Sequence, residues 1–362
     1  MIAAETAVPS VHRETDRFDG VVTPASLTHV SASGNAMGGR LAVHVAVSAG
    51  RAVEAERAAR ATMSHVRAWA ARLTRFDAAS DLSRLNADPH HAVAVRPTLA
   101  AALAWGAEAT RMTGGIVDVT LLDARIAAER GDPGADPGTT GPWTVARQAA
   151  DREPAGTCDA RPGAGSRLRA VTRAPGIRFD LDGVGKGWLA DRALAALATF
   201  PGAIVDADGD VAIRVAPGDA WFVAIEDPRS PGMDLAVVRL TARDMPEYFG
   251  LATSGVSIHR WEADPVTPAG SMPASGSVPA SALAPRHHLI DPRTRRPAVT
   301  DVVQATVLAG SAREAEALAK AAVILGTLEG FALLEAAGVA GAVLLTERGE
   351  SIAMPRTLRW LE

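Results

Sequence analysis

Two charged side chains interrupt an apolar run late in the chain. The stretch "AEALAKAAVILG" (315–326) carries Glu316 and Lys320. Four residues apart in an Ala-rich segment, they would lie on one face of a helix. A surface ion pair would account for them, and so would a turn facing a site that needs a cation. A second stretch, "DLDGVGKGWLAD" (180–191), ends a strand-like run at Asp180 and brackets Leu181 with two carboxylates. Gly183, Gly185 and Gly187 would let the backbone approach a ligand closely, and Lys186 stands just before a helix start. That combination suits a phosphate or pyrophosphate. It is not a P-loop, because GxxxxGK[ST] is absent, and no GxGxxG follows a strand here. An ordinary strand–turn–helix corner would carry the same glycines.

Three further segments hold polar side chains where a core or a turn is otherwise expected. "TGGIVDVTLLDAR" (113–125) opens with glycines usual at a helix C-terminus, but Asp118 sits inside an apolar run and needs a partner. "LTRFDAASDLSRLN" (73–86) is turn-rich, and its Asp–Ser–Arg–Asn cluster suits helix capping. "HHLIDPRTRRP" (287–297) leads two histidines into an Asp-Pro turn followed by Arg293, Arg295 and Arg296. "ATSG" (252–255), with His259 and Arg260 beyond it, reads as another loop at the same place.

The elements that must position these residues are legible in outline. Residues 1–35 read as a loosely held arm, and 38–50 as a strand. Helical periodicity runs over 52–74, and a second helix is expected from Pro97 to Met112. Residues 130–169, rich in Gly, Pro, Asp and Arg, read as a long loop or insertion. Residues 177–198 read as a short strand, a Gly-punctuated turn and a helix. Strand-like runs follow at 203–215, 220–228, 235–241, 302–310 and 340–349, with helices over 312–325 and 328–337. Residues 262–286 are Pro/Ser/Ala-rich and read as a surface loop. Strands and helices mix without regular alternation, so α+β is expected rather than a doubly wound sheet.

Composition bounds the function. The chain has 362 residues, 48% of them apolar, which is enough for a large core. Its formal charge is −4 with no long basic run, so nucleic acid is not expected as the main partner. A single cysteine, Cys158, excludes an intrachain disulfide and a Cys-rich metal centre. The first twenty residues lack the basic and apolar regions of a secretory signal, and no uninterrupted apolar run is long enough to span a membrane. A cytoplasmic protein is expected.

Taken in series, "AMGG" (36–39), "FDAASDLSRLN", "TGGIVDVT", "DLDGVGKGWLAD", "DADGDVAIRV" (206–215), "WFVAIEDP" (221–228), "LATSG", "HHLIDPRTRRP" and "AEALAKAAVILG" resemble the ApbE family of FAD:protein FMN transferases, in the family's order over about residues 36–348. The resemblance implies one large α+β domain with a T-fold-like core. It implies FAD as substrate, transfer of the FMN half to a Thr or Ser hydroxyl of an acceptor protein, and release of AMP. Contacts to FAD would fall on Met37, Phe76, Ile116, Val117, Asp118, Asp180, Lys186 and Ile290. His288 and Asp291 are the nearest candidates for accepting the acceptor's proton, although Asp291 could equally shape the Asp-Pro turn.

The same resemblance implies Mg²⁺, held by an Asp and a Thr of an Ala-Asp-Ala-x-x-Thr motif and by a carbonyl of the Gly-rich turn. Those positions fall on Glu316, Lys320 and Gly183. A protonated lysine is not a ligand, so three arrangements are open. The Lys320 ammonium could take the metal's place, as a catalytic cation. Mg²⁺ could bind through Glu316, Gly183 and phosphate oxygens, with Lys320 turned to solvent. Transfer could also be lost, leaving a silent FAD-binding protein. The second is the arrangement expected, because one lysine brings half the charge and cannot hold several phosphate oxygens in octahedral geometry. Water in place of the acceptor hydroxyl would give an FAD pyrophosphatase.

Overall fold

The computed structural model describes residues 11–12, 27–132, 135–146, 168–230, 232–243, 248–257 and 287–361. With strands numbered in chain order, a central antiparallel sheet is built from β2 (Leu27–Ala36), β3 (Gly39–Ser48), β7 (Gly202–Ala207), β8 (Asp210–Arg214), β11 (Phe249–Gly255), β14 (Val302–Ala309), β15 (Gly341–Thr346) and β16 (Ser351–Ala353). Their spatial order is β16-β15-β14-β11-β8-β7-β3-β2. β1 (Val11–His12), β9 (Ala220–Glu226) and β10 (Asp234–Thr241) make a second sheet. β4 (Ala92–Val95), β5 (Trp143–Val145) and β6 (Arg169–Arg173) make a third, and β12 (Ile290–Asp291) pairs with β13 (Arg296–Pro297).

The strands are apolar on both faces because both faces are covered. Val43, Val45, Ala203 and Val205 point into a core under the helices. Ala46, Ile204, Val211 and Ile213 point the other way, onto Trp221, Val223 and Val238 of β9 and β10. The helices are α1 (Ala52–Leu73), α2 (Asp81–Ala87), α3 (Pro97–Met112), α4 (Leu122–Arg130), α5 (Gly185–Ala195) and α6 (Ala312–Ala337). α3 starts on Pro97, whose missing N–H costs nothing there. α6 is interrupted at Gly326 (φ 80°, ψ −178°), so the two helices expected over 312–337 meet at a break. Asp301 Oδ1 accepts the Thr327 N–H at 2.9 Å and caps the second half. By length and composition α6 could cross a membrane, but more than half of its most apolar window is buried inside the protein.

The α+β expectation holds, with local corrections. The arm ends earlier than residue 35, since Leu27–Ala36 forms the edge strand β2. The run 203–215 is a hairpin, turned by Asp208 (φ 58°) and Gly209 (φ 91°). Two successive left-handed residues make the tight turn that matches strand twist. The segment 252–255 is the end of β11, not a loop, and Ala252 pairs with Asp210. Ser80 caps α2 by accepting the Ser83 N–H at 2.9 Å, as the polar cluster suggested. α4 was not anticipated, and β5 lies inside the expected 130–169 loop. Residues 147–167 with Cys158, and 258–286 with His259 and Arg260, lie outside the described residues.

Two glycines let α6 come down onto the rest of the fold. A Cβ on Gly250 in β11 would overlap the Ala312 backbone N, and one on Gly187 in α5 would lie 2.5 Å from the Ala312 carbonyl oxygen. Both neighbours are backbone, so neither can swing aside. Gly250→Ala is therefore expected to destabilise the fold by about 3 kcal/mol or more. Urea unfolding would measure it, and a midpoint equal to the parent's would refute the close-approach account.

Candidate active site

The pairing of β3 with β7, with Leu41 opposite Ala207, sets two hairpin turns side by side at one end of the central sheet. One is Met37–Gly38 between β2 and β3, with Met37 itself left-handed (φ 54°). The other is Asp208–Gly209. The Asp208 carboxylate accepts the Arg40 N–H at 3.2 Å and fills the space a Cβ on Gly39 would need. Against this edge comes the Gly-rich turn that begins α5. Lys186 Nζ lies 3.5 Å from Asp208 Oδ2, 3.5 Å from Asp210 Oδ2 and 3.3 Å from the Asp208 carbonyl oxygen.

The turn is anchored by side chains that belong to neither the turn nor the hairpins. Asn86 pairs with Phe179 like a strand neighbour, donating to its carbonyl at 2.8 Å and accepting its N–H at 2.7 Å. The Asp180 N–H donates to the Val119 carbonyl at 2.8 Å, which joins the 116–120 segment to the turn. The buried Trp105 donates its indole N–H to the Val184 carbonyl at 3.1 Å. α6 then brings in Glu316, whose Oε2 accepts the Gly187 N–H at 2.9 Å. One turn later, the tip of Lys320 lies in the notch at Gly183, where a Cβ would overlap its Nζ.

The electrostatics follow from crowding these groups into a largely dry corner. Burial pushes Glu316 up to about 8, with Asp210 adding and Lys186, Lys320 and the Gly187 N–H opposing. Burial likewise raises Asp210 to about 6 despite Lys186 and Lys320. Burial alone would lower the Lys186 ammonium, but Asp210, Asp208 and Glu316 outweigh it and raise it. Lys320 is lowered by burial in spite of Glu316. At neutral pH Glu316 is therefore largely protonated, while Lys186 stays charged through its pairing with Asp208 and Asp210.

A second network lines the approach. Arg75 pairs with Glu129 and lies 3.4 Å from Asp182 and 4.0 Å from Asp180. Arg125 in α4 donates to Glu129 at 2.8 Å and to the His288 carbonyl at 3.1 Å. The Arg75 guanidinium sits 4.1 Å from the Phe76 ring centroid, and Phe76 is 74% exposed. Burial, with Asp182 adding, raises Asp180 to about 6 against Arg125 and Arg75.

The expected residues are placed unevenly. Lys186, Glu316, Lys320 and Gly183 come together, with Asp180 and Met37 on adjoining turns. Val117 is core, and Asp118 accepts the Thr120 N–H and hydroxyl at 2.8 Å each, which closes its own turn. Ile116 packs partly buried against the core, and Ile290 packs on Leu121 and Ala124. Asp291 is corrected as a candidate base. Arg293 binds it through Nε at 3.0 and 3.1 Å and Nη2 at 2.9 Å, so it holds the 291–296 turn. Lys320 is corrected too, since its tip fills the Gly183 notch instead of pointing away to solvent. Sequence reasoning missed Asp208, Asp210, Arg75 and Arg125. Three aspartates in five residues (206–210) between buried strands were a signal for the first two. Arg125 stands four residues before Glu129 on α4, which is a local signal, and nothing local marks Arg75.

The implied Mg²⁺ does not fit this corner. An ammonium occupies the notch at Gly183, Glu316 is engaged by an amide, and among the described residues no three His, Cys, Asp or Glu side chains are grouped to hold a metal.

An α+β sandwich with a lysine–carboxylate corner at one sheet end, built on a Gly-rich turn, defines a protein equipped for an anionic ligand. The chain belongs to the ApbE family, whose model matches residues 37–344. It is similar to the FAD:protein FMN transferase of Treponema pallidum, 32% identical over 171 residues; that match spans 44% of this chain and 41% of the relative. Its fold is that of the flavin transferase ApbE from Vibrio cholerae (TM-score 0.62, 20% identity, 93% of this chain and 100% of that one). It is also that of the Thermotoga maritima ApbE protein (TM-score 0.65, 18% identity, 92% and 100%).

A pH dependence follows from the buried carboxylates. Burial raises Asp206 from 3.8 to about 6, although its Oδ1 accepts the Gly209 N–H at 2.9 Å. The folded state thus binds more protons than the unfolded state between those values, and stability falls as pH rises through about 4 to 6. Asp206→Asn keeps an acceptor for Gly209 and is expected to remove on the order of 2 kcal/mol of that fall. Urea unfolding of both proteins at pH 4.5 and pH 7 would test this, and parallel profiles would exclude it.

Proposed function

We propose that this chain transfers the FMN half of FAD to a Thr or Ser hydroxyl of an acceptor protein and releases AMP. Family membership and the name of the Treponema pallidum relative support the reading. The observation that carries it is the corner where Lys186 and Lys320 flank a glycine turn beside a mostly protonated Glu316. In the reaction the acceptor oxygen forms a bond to the FMN phosphorus. The bond from that phosphorus to the bridging oxygen breaks, AMP leaves with that oxygen, and the hydroxyl proton passes to a base. Negative charge grows on the departing phosphate, and fixed positive groups stabilise it most where water is excluded. Lys186, kept charged by Asp208 and Asp210, supplies that stabilisation. The exposed Phe76 ring, backed by Arg75, offers a face for a flat ring system. His288, whose carbonyl is held by Arg125, takes the base role, since Asp291 is committed to Arg293.

Incubation with FAD and a Thr- or Ser-bearing acceptor domain, followed by intact mass and nucleotide analysis, tests the reading. Flavinylated acceptor and equimolar AMP are expected. Lys186→Met should lower the rate by about 10²–10³. AMP without labelled acceptor would assign hydrolysis instead, and neither product would leave a binding protein. For His288→Ala, a loss of about 10²–10⁴ in rate with FAD affinity within a few-fold is expected. An unchanged rate would remove His288 from the mechanism.

A further inference from the structure

We propose that Lys320 is a built-in cation, and that nucleotide binding and pyrophosphate cleavage at this corner need no divalent metal. The inference rests on the proposed flavin transfer and concerns how charge is supplied to it.

Three observations converge on this side chain. Gly183 is not in a left-handed conformation, so its backbone does not demand glycine; a Cβ there would instead overlap the Lys320 ammonium. The notch is therefore a seat for the lysine tip. Second, among the described residues Lys320 has no hydrogen bond or ion pair within 4 Å; burial, with Arg125 adding, lowers it, and Glu316, Asp180 and Asp182 oppose that and favour its charged form. Its neighbour Lys186, by contrast, is held by two aspartates. An ammonium seated but not neutralised is available to an incoming phosphate oxygen. Third, the carboxylate one turn earlier already accepts the Gly187 N–H. A divalent ion placed there would meet an ammonium at close range and a ligand otherwise engaged. Hard divalent cations need several oxygen ligands, and here Asp208 and Asp210 face Lys186 while Glu316 faces the Gly187 amide. Lys186, balanced by Asp208 and Asp210, and Lys320, seated beside the glycine turn, are the two points from which this corner can meet phosphate oxygens.

FAD titration of the purified chain, followed by fluorescence, in EDTA and then in excess MgCl₂, tests the inference. The parent is expected to bind FAD with the same affinity within two-fold in both buffers, and to transfer FMN in EDTA. Lys320→Thr should bind FAD at least ten-fold more weakly in EDTA and recover most of that loss with Mg²⁺. Its FAD complex should also take up Mn²⁺, read by the loss of the free-ion EPR signal, where the parent complex takes up none. Lys320→Arg, which keeps the charge, controls for folding and should stay metal-independent. Parent affinity that drops ten-fold in EDTA, or Mn²⁺ uptake by the parent complex, overturns the inference and leaves flavin transfer standing. No FAD binding in either buffer overturns the proposed function and this inference with it.

Discussion

The site depends on how closely the start of α6 approaches the rest of the protein. Ala312 packs backbone to backbone against Gly187 of α5 and Gly250 of β11. Asp191 of α5 accepts the N–H groups of Ala312 and Arg313 at 2.9 and 3.2 Å, which satisfies two of the free amides at the helix start. Because that end is fixed, the residue one turn in, Glu316, reaches the Gly187 amide, and the residue one turn further, Lys320, reaches the Gly183 notch. A side chain in place of either glycine would lift α6 and withdraw both groups from the corner.

The same closeness sets the chemistry. Carboxylates that would titrate near 4 in water are raised to about 6 at Asp180, Asp206 and Asp210, and Glu316 to about 8. Desolvation leads in each case, so these groups owe their state to the layers packed over the sheet end. A protonated Glu316 can still accept from an amide without adding a negative charge beside Lys320, while Lys186 is balanced by Asp208 and Asp210. The corner thus combines tight hydrogen bonding with a lysine tip at Gly183 that no carboxylate pairs directly among the described residues. The second network, from Arg75 through Glu129 to Arg125 and the His288 carbonyl, ties the 74–77 loop, α4 and the 287–297 turn into one wall. Only the Arg125–Glu129 pair, four apart on α4, is local; its links to Arg75 and to the His288 carbonyl join segments 54 and 163 residues apart.

Relatives at 18–20% identity share the fold over nearly the whole chain. Core positions tolerate apolar exchange as long as volume and pattern are kept. The charges at the sheet end, several of them buried, answer to hydrogen-bond and charge partners and not to that rule. A shared scaffold therefore does not fix the side chains at the corner, and function must be argued from the corner itself.

The sequence alone determined the elements whose signals are local. Pro97 and the 3.6-residue period marked α3 and α1, apolar runs marked β3, β9, β10, β14 and β15, and the glycine turn with Lys186 marked the start of α5. It also placed Glu316 and Lys320 on one helix face, since a four-residue spacing fixes that without any partner. Tertiary structure decided the rest. The β2 edge strand has little apolar burial and needs β3 beside it to be recognised, and α4 is short and charged. The sequence showed that Asp118 needs a partner and left Asp291 between a base and a turn former; hydrogen bonds to Thr120 and Arg293 decide both. Asp208 and Asp210 became site residues only through the pairing of β7 with β3 and β8, and the direction of Lys320 was set by the empty space above Gly183. Contacts between distant segments depend on strand order and on how near two backbones can come, and neither quantity is written in any short stretch of chain.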